Sequence, residues 1–184
     1  MERIQGSTDI PLNETGRAQA RATAEMLARD TGEWDTIWAS PLSRALDTAR
    51  IIAEHLGIET IHTDYGLQER NFGAAEGMNK ETRVARFGKG PIPGAETWEQ
   101  VRERSLAALE MIRSVSPERR VLVVAHGGVI NSIMSHISDG EIGPGRTIII
   151  NASAHLLQWD EIWRIRWFNR TGENPGDEEM RNPA

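Results

Sequence analysis

Three polar residues stand where α/β chains carry their chemistry, at the carboxyl ends of β-prone stretches. Arg44 follows Thr36-Ile37-Trp38-Ala39 and lies in the first turn of a helix that Ser40 would cap and Pro41 would open. Unpaired backbone N–H groups and the helix dipole favour an anion there, and a planar guanidinium beside them makes a bidentate phosphate or carboxylate site. The competing reading is a solvent-facing arginine on a surface helix. His126 ends the apolar run Val121–Ala125 and is followed by Gly127 and Gly128. Two glycines permit a tight strand-to-helix turn and close approach of the backbone to a ligand. A hydrogen-bonded structural histidine is the plainer alternative. Glu69 lies in a loop before Phe72-Gly73, where a carboxylate is ordinarily just solvated. It gains meaning only as the acid partner of an Arg/His anion site.

Other chemistries lack their residues. His55, His62, His136 and His155 form no H-x-H, H-x-x-H or H-E-x-x-H pattern, and the chain has no Cys. Disulfides, thiolate nucleophiles and the usual metal sets are thereby removed, and no cofactor is called for. There is no G-x-G-x-x-G, no G-x-x-x-x-G-K-[ST] and no G-x-S-x-G. A formal charge of −6 and a pI near 5.4 argue against nucleic acid as a partner. No stretch approaches the ~18 apolar residues of a membrane span, and no signal peptide opens the chain. With 184 residues, 39% of them hydrophobic and 26% charged, one ordinary globular domain is expected, a cytoplasmic enzyme or small-molecule binder, or an interaction domain.

Helical and strand signals alternate, which predicts an α/β fold with a mainly parallel sheet. Asn13 caps a first helix running towards Asp30, with Gly32 as its stop. A second helix shows Ala45, Ala49, Ile52 and Leu56 on one face and closes at Gly57. A strand from about Glu59 to Thr63 follows. Residues 70–97 carry seven Gly and Pro punctuators and no apolar periodicity; long excursions of this kind usually carry function. Thr97 and Gln100 form a capping box for a helix with Trp98, Val101, Ser105, Ala108 and Ile112 on one face. Val121–Ala125 reads as a fully buried parallel strand, and a short helix spans about Val129–Ser138. Strands are expected at Thr147–Ile150, His155–Trp159 and Trp163–Phe168, the last two a hairpin turning at Asp160-Glu161. Residues 171–184 read as a disordered tail. No strand stands before the first helix.

Taken together, these stretches resemble the histidine phosphatase superfamily, in its phosphoglycerate mutase-like branch. Gln5-Gly6-Ser7-Thr8-Asp9-Ile10-Pro11-Leu12-Asn13-Glu14 with Gly16, Gln19 and Ala20 is similar to the family segment QG-x-x-D-x-P-L-[TN]-E-x-G-x-x-Q-A. Ser40-Pro41-Leu42-Ser43-Arg44-Ala45 with Thr48-Ala49 is similar to S-x-L-x-R-A-x-x-T-A. Leu67-Gln68-Glu69 through Phe72-Gly73, with Glu76-Gly77, follows L-x-E-x-x-F-G-x-x-E-G. Pro93-Gly94-Ala95-Glu96-Thr97 and Val124-Ala125-His126-Gly127-Gly128 complete the order.

The resemblance implies a three-layer α/β/α sandwich over residues 1–170. It also implies phosphoryl transfer through a phosphohistidine, without metal or cofactor, on a small phosphorylated metabolite. Arg44 would clamp the phosphate, Glu69 would donate the proton, and His126 would be the second histidine. Gln5, Gly6 and Gly127 would line the phosphate pocket, while Arg70 and Phe72 would meet the organic part of the substrate. The family's R-H-G motif, with the attacking histidine at the end of a first strand beside 121–125, has no counterpart in these residues. The expectation is therefore a domain shortened at its N-terminus, missing a mid-sheet strand and inactive in this form. An open sheet edge would favour a homodimer. Hydrolysis is favoured over mutase-type transfer because the middle excursion is short, and a non-catalytic phospho-ligand binder is the alternative.

Overall fold

The computed structural model describes residues 3–29 and 33–172. Three parallel strands form its centre: β1 (Thr36–Ala39), β2 (Ile61–Thr63) and β3 (Val121–Val124), in the order β2-β1-β3. Strand β1 aligns Ile37 with Ile61 on one side and Leu122 on the other. Alternation along these strands sorts side chains to two faces. Ile37, Ala39 and Leu122 pack against α1 (Glu14–Ala28) and α2 (Ser43–Leu56) through Ala24, Leu27, Ala49 and Ile52. Trp38, Val121 and Ala125 pack on the opposite face against Leu67 and, from α4 (Trp98–Val115), Ala108 and Ile112. Helix–sheet–helix layering, the expected α/β/α sandwich, is what results. Helix α5 (Gly127–Ile137) packs on α4 through Val129 and Ile133. No helix among the described residues is long and apolar enough to cross a membrane.

The capping chemistry of α1 and α4 follows the sequence. Asn13 accepts from Gly16 N at 2.8 Å, and Thr97 and Gln100 exchange both bonds of a capping box. The expected end of α1 at Asp30 and Gly32 lies outside the described residues, as does most of the tail, residues 173–184.

Several expectations are corrected. Ser40 does not cap α2 and Pro41 does not open it. The helix begins at Ser43, and its first N–H is held by Asp9 from the N-terminal loop, with Ser43 N to Asp9 Oδ1 at 2.8 Å. Ser40 is instead drawn into the sheet, where its N–H bonds Val124 O at 2.9 Å. Strand β3 is not fully buried: Leu122 is, but Val123 is 37% exposed, because β3 pairs only with β1 and its other edge is open among the described residues. Residues 147–150 form no strand; Asn131 and Asn169 side chains bond the carbonyls of Thr147 and Ile148 and hold them as a loop. The hairpin is longer than expected, β4 (Ala154–Asp160) with β5 (Ile162–Arg170), and turns through Glu161 at φ 61°. Its Trp159–Trp163 pair packs edge to face across the strands. The excursion hides an unforeseen helix, α3 (Lys80–Phe87), capped by Asn79. It is only eight residues long and buries no residue, so no long core-facing run marks it in the sequence.

Ile37 is wholly buried between β2, β3 and the α1/α2 layer. Ile37→Ala leaves a cavity that this packed layer cannot close, and should cost about 3 kcal/mol of unfolding free energy in denaturant titration.

Candidate active site

The parallel register pairs Ala39 with Val124, so the residues just beyond, Ser40 and His126, emerge side by side. Ser40 Oγ lies 2.8 Å from His126 Nε2, both residues buried. His126 precedes α5, so the ring and the helix N-terminus come from one turn. Burial first, and the positive charges of Arg44 and Arg104 second, push the His126 pKa down to about 3. The ring is neutral through the physiological range.

Arg44 projects from the first turn of α2 to the N-terminal loop, where Nη2 donates to Gly6 O at 2.7 Å and Nη1 to Thr8 O at 3.0 Å. The loop that receives it is gathered on one carboxylate. Glu76 accepts from Ser7 N at 2.8 Å, Thr8 N at 3.0 Å, Phe72 N at 3.1 Å and both hydroxyls of Ser7 and Thr8. Burial alone would raise the Glu76 pKa, but these donors together outweigh it and hold the carboxyl below its usual range. Gly6 adopts φ +58°, and a Cβ there would fall 2.1 Å from Glu76 Oε1, so only glycine fits.

Glu69 reaches the same place from the loop after a short 3-10 turn, Tyr65–Leu67. Its carboxylate accepts from Arg70 N at 2.7 Å and Gly128 N at 3.1 Å. Burial nevertheless dominates and raises its pKa, against those two bonds and the charges of Arg44 and Arg104. A carboxyl so placed keeps its proton to higher pH, as a proton donor must. Gly128 leaves room for this contact: a Cβ there would stand 2.3 Å from Glu69 Oε1 and displace the carboxyl, whereas at Gly127 the nearest atom would be 3.9 Å away.

Arg104 on α4 secures the Glu69 loop. It pairs with Glu96 in a two-pronged contact, Nε–Oε1 2.8 Å and Nη2–Oε2 3.0 Å, and donates to the carbonyls of Gly66, Gln68 and Glu69. Arg70 sits between rings, 4.9 Å from the Phe72 centroid and 4.4 Å from that of Trp98, with Nε bonded to Glu96 O.

Of the residues singled out in the sequence, Arg44, Glu69 and His126 come together, with Gly6 and Gly127 beside them and Arg70 and Phe72 on the flank. Gln5, next to Gly6, is exposed, and its carbonyl closes a turn with Thr8 N. Glu76, Arg104, Glu96 and Asp9 have no individual mark in the sequence. Glu76, Glu96 and Asp9 do lie within the motif segments, which is a usable signal. Arg104, in the middle of α4, had none.

A family model, "Histidine phosphatase superfamily (branch 1)", matches residues 1–171. The chain belongs to this superfamily. Its relatives in the family include phosphatases and mutases. It is 39% identical over 169 residues to a Bacillus subtilis protein named uncharacterized phosphatase PhoE, covering 91% of this chain and 86% of that one. It is 34% identical over 176 residues to a metal-independent phosphoserine phosphatase of Arabidopsis thaliana, covering 89% and 72%. Among solved structures, the mycobacterial glucosyl-3-phosphoglycerate phosphatase superposes with a TM-score of 0.79 at 27% identity, covering 92% of each chain. The fold that this superfamily resemblance implied is the one observed.

Two histidines, buried His126 and half-buried His155, make stability depend on pH. The pKa of His126 falls to about 3 and that of His155, through burial, to about 4. Both are depressed below the unfolded value of about 6.5, so their contribution is whole above pH 6.5 and is lost as the pH falls towards those folded values. At pH 5 each should cost about 2 kcal/mol relative to pH 7. Denaturant unfolding at the two pH values checks this, and the difference should shrink by about half in His155→Gln.

Proposed function

We propose that the chain carries the phosphate-binding and proton-donating parts of a phosphomonoester hydrolase that works through a phosphohistidine on a small phosphorylated metabolite. The observation behind this reading is the convergence of Arg44, Glu69 and His126, from three separate segments, at the carboxyl ends of β1 and β3. Phosphoryl transfer is chiefly positioning and charge stabilisation. Arg44 supplies positive charge to the equatorial oxygens, the Gly127 N–H at the start of α5 supplies a backbone donor, and His126 supplies a neutral donor. A histidine nitrogen attacks phosphorus, the P–O ester bond breaks, and Glu69 gives its proton to the leaving alkoxide. Glu69, now a carboxylate, then takes a proton from the water that breaks the P–N bond. Arg70, held between Phe72 and Trp98, would meet the organic part of the substrate.

The attacking histidine is not one of the described residues. His62 stacks on Trp38, His155 is tied to Ser153 and Asn169, and His55 and His136 lie in the last turns of their helices. His126 Nε2 is engaged by Ser40. Turnover therefore requires a histidine-bearing strand on the open edge of β3; without it the chain binds phosphate and does not hydrolyse esters. That absence favours, as a second reading, a phospho-ligand binder. Between hydrolysis and mutase-type transfer we favour hydrolysis, since α3, the one helix of the 70–97 excursion, buries nothing and makes a slight cover against water.

Two measurements test the reading. The chain should bind orthophosphate in calorimetry, and Arg44→Ala should weaken that binding at least tenfold; equal affinity would refute the Arg44 assignment. Joining an extended segment ending in Arg-His-Gly, followed by a connecting loop of roughly ten residues, ahead of Arg3 should confer hydrolysis of an aryl phosphate, with labelled phosphate trapped on histidine. In that form Glu69→Gln should lower kcat about 10²- to 10⁴-fold. Phosphate binding that never becomes turnover would favour the binder instead.

A further inference from the structure

Ser40 is wholly buried, and its hydroxyl has two polar neighbours. It accepts from Leu42 N at 3.3 Å and lies 2.8 Å from His126 Nε2. The first contact occupies an acceptor position, and a hydroxyl has one proton to give. Among the described residues the acceptor within reach of that proton is Nε2. If Nε2 instead carried the ring proton and donated to Ser40, the hydroxyl proton would be buried without an acceptor, the costly arrangement. A nitrogen that accepts has no proton, and the ring is neutral, so its proton sits on Nδ1. Nδ1 makes no hydrogen bond to protein among the described residues.

We propose that Ser40 is a positioning residue that fixes His126 as the Nδ1–H tautomer, so that the ring offers a bound phosphoryl group a hydrogen-bond donor instead of a lone pair. The backbone is shaped for this. Ser40 N is anchored to Val124 O at 2.9 Å, which sets the hydroxyl beside the ring. The start of α2 is deferred to Ser43, which leaves the Leu42 N–H free to occupy the hydroxyl's lone pair. Asp9 meanwhile caps the helix, and so releases Ser40 from that duty. Arg44 brings the charge, and His126 brings a directed N–H. The second half of the proposal rests on the anion-site reading above, and the first half does not.

The test is a long-range ring ¹H–¹⁵N correlation spectrum of the labelled chain at pH 7, with His126 assigned by the signals that vanish in His126→Gln. Pyrrole-type Nδ1 and pyridine-type Nε2 shifts are expected. In Ser40→Ala, which nearly conserves volume, both shifts should move to intermediate values as the tautomers mix, and Ser40→Thr should restore them. Orthophosphate affinity should fall roughly 3- to 10-fold in Ser40→Ala. A protonated Nε2 in the unaltered chain overturns the proposal, and so does a tautomer that Ser40→Ala leaves unchanged. A tautomer that shifts while phosphate affinity stays the same retains the positioning role and refutes the anion-site reading instead. The unaltered chain alone decides the tautomer, whatever the folding of the variants.

Discussion

Parallel pairing of β1 with β3 is the constraint on which the rest of the site depends. Because Ala39 stands opposite Val124, the two strands end level, and Ser40, one residue beyond β1, meets His126, two residues beyond β3. Ser40 and His126 are thereby adjacent although 86 positions separate them. A shift of one residue would turn His126 to the other face and bury the alternate set of side chains. The register is held from both faces at once, by Ile37 and Leu122 towards α1 and α2 and by Trp38 and Val121 towards α4. The same packing that stabilises the sheet therefore aims the chemistry.

The loops around the strand ends are held by charged side chains used as hubs. Glu76 collects backbone and hydroxyl donors of the N-terminal loop, and Arg104 collects carbonyls of the loop bearing Glu69. Each hub satisfies polar groups that a tight loop cannot satisfy by itself. Their signs are complementary: a carboxylate gathers N–H groups where Arg44 must enter, and a guanidinium gathers carbonyls where Glu69 must leave. Charge-assisted bonds of this kind hold a loop more firmly than neutral ones.

The electrostatics assign distinct roles to three neighbours. Arg44 remains the cation, His126 is kept neutral by burial and by the guanidiniums nearby, and Glu69 is pushed towards its protonated form. An imidazolium among two arginines would pay for repulsion and desolvation together, so a neutral donor is the arrangement that the site sustains. Environments that push the pKa values of adjacent groups apart mark acid and base assignments in catalytic sites.

Much of this was legible in local pattern. The 3.6-residue periodicity of α2, the Asn13 and Thr97 caps and the apolar run ending at His126 are short-range signals, and α/β layering followed from their alternation. Arg44, Glu69 and His126 could be named because each follows a strand or opens a helix. What the tertiary structure decided depends on contacts between distant segments. Ser40 looked like a helix cap because the local rule favours that role; the sheet claimed it, and Asp9, from a loop 34 positions away, took over the cap. Residues 147–150 carry β-branched side chains, yet Asn131 and Asn169 bond their carbonyls and no strand forms. Arg104 sits mid-helix with no local mark, since its partners are carbonyls 35 to 38 positions away. A sequence determines its own periodicities and caps, because those need only neighbouring residues. Which polar groups share one buried space is decided by the fold, because that depends on packing across the whole chain.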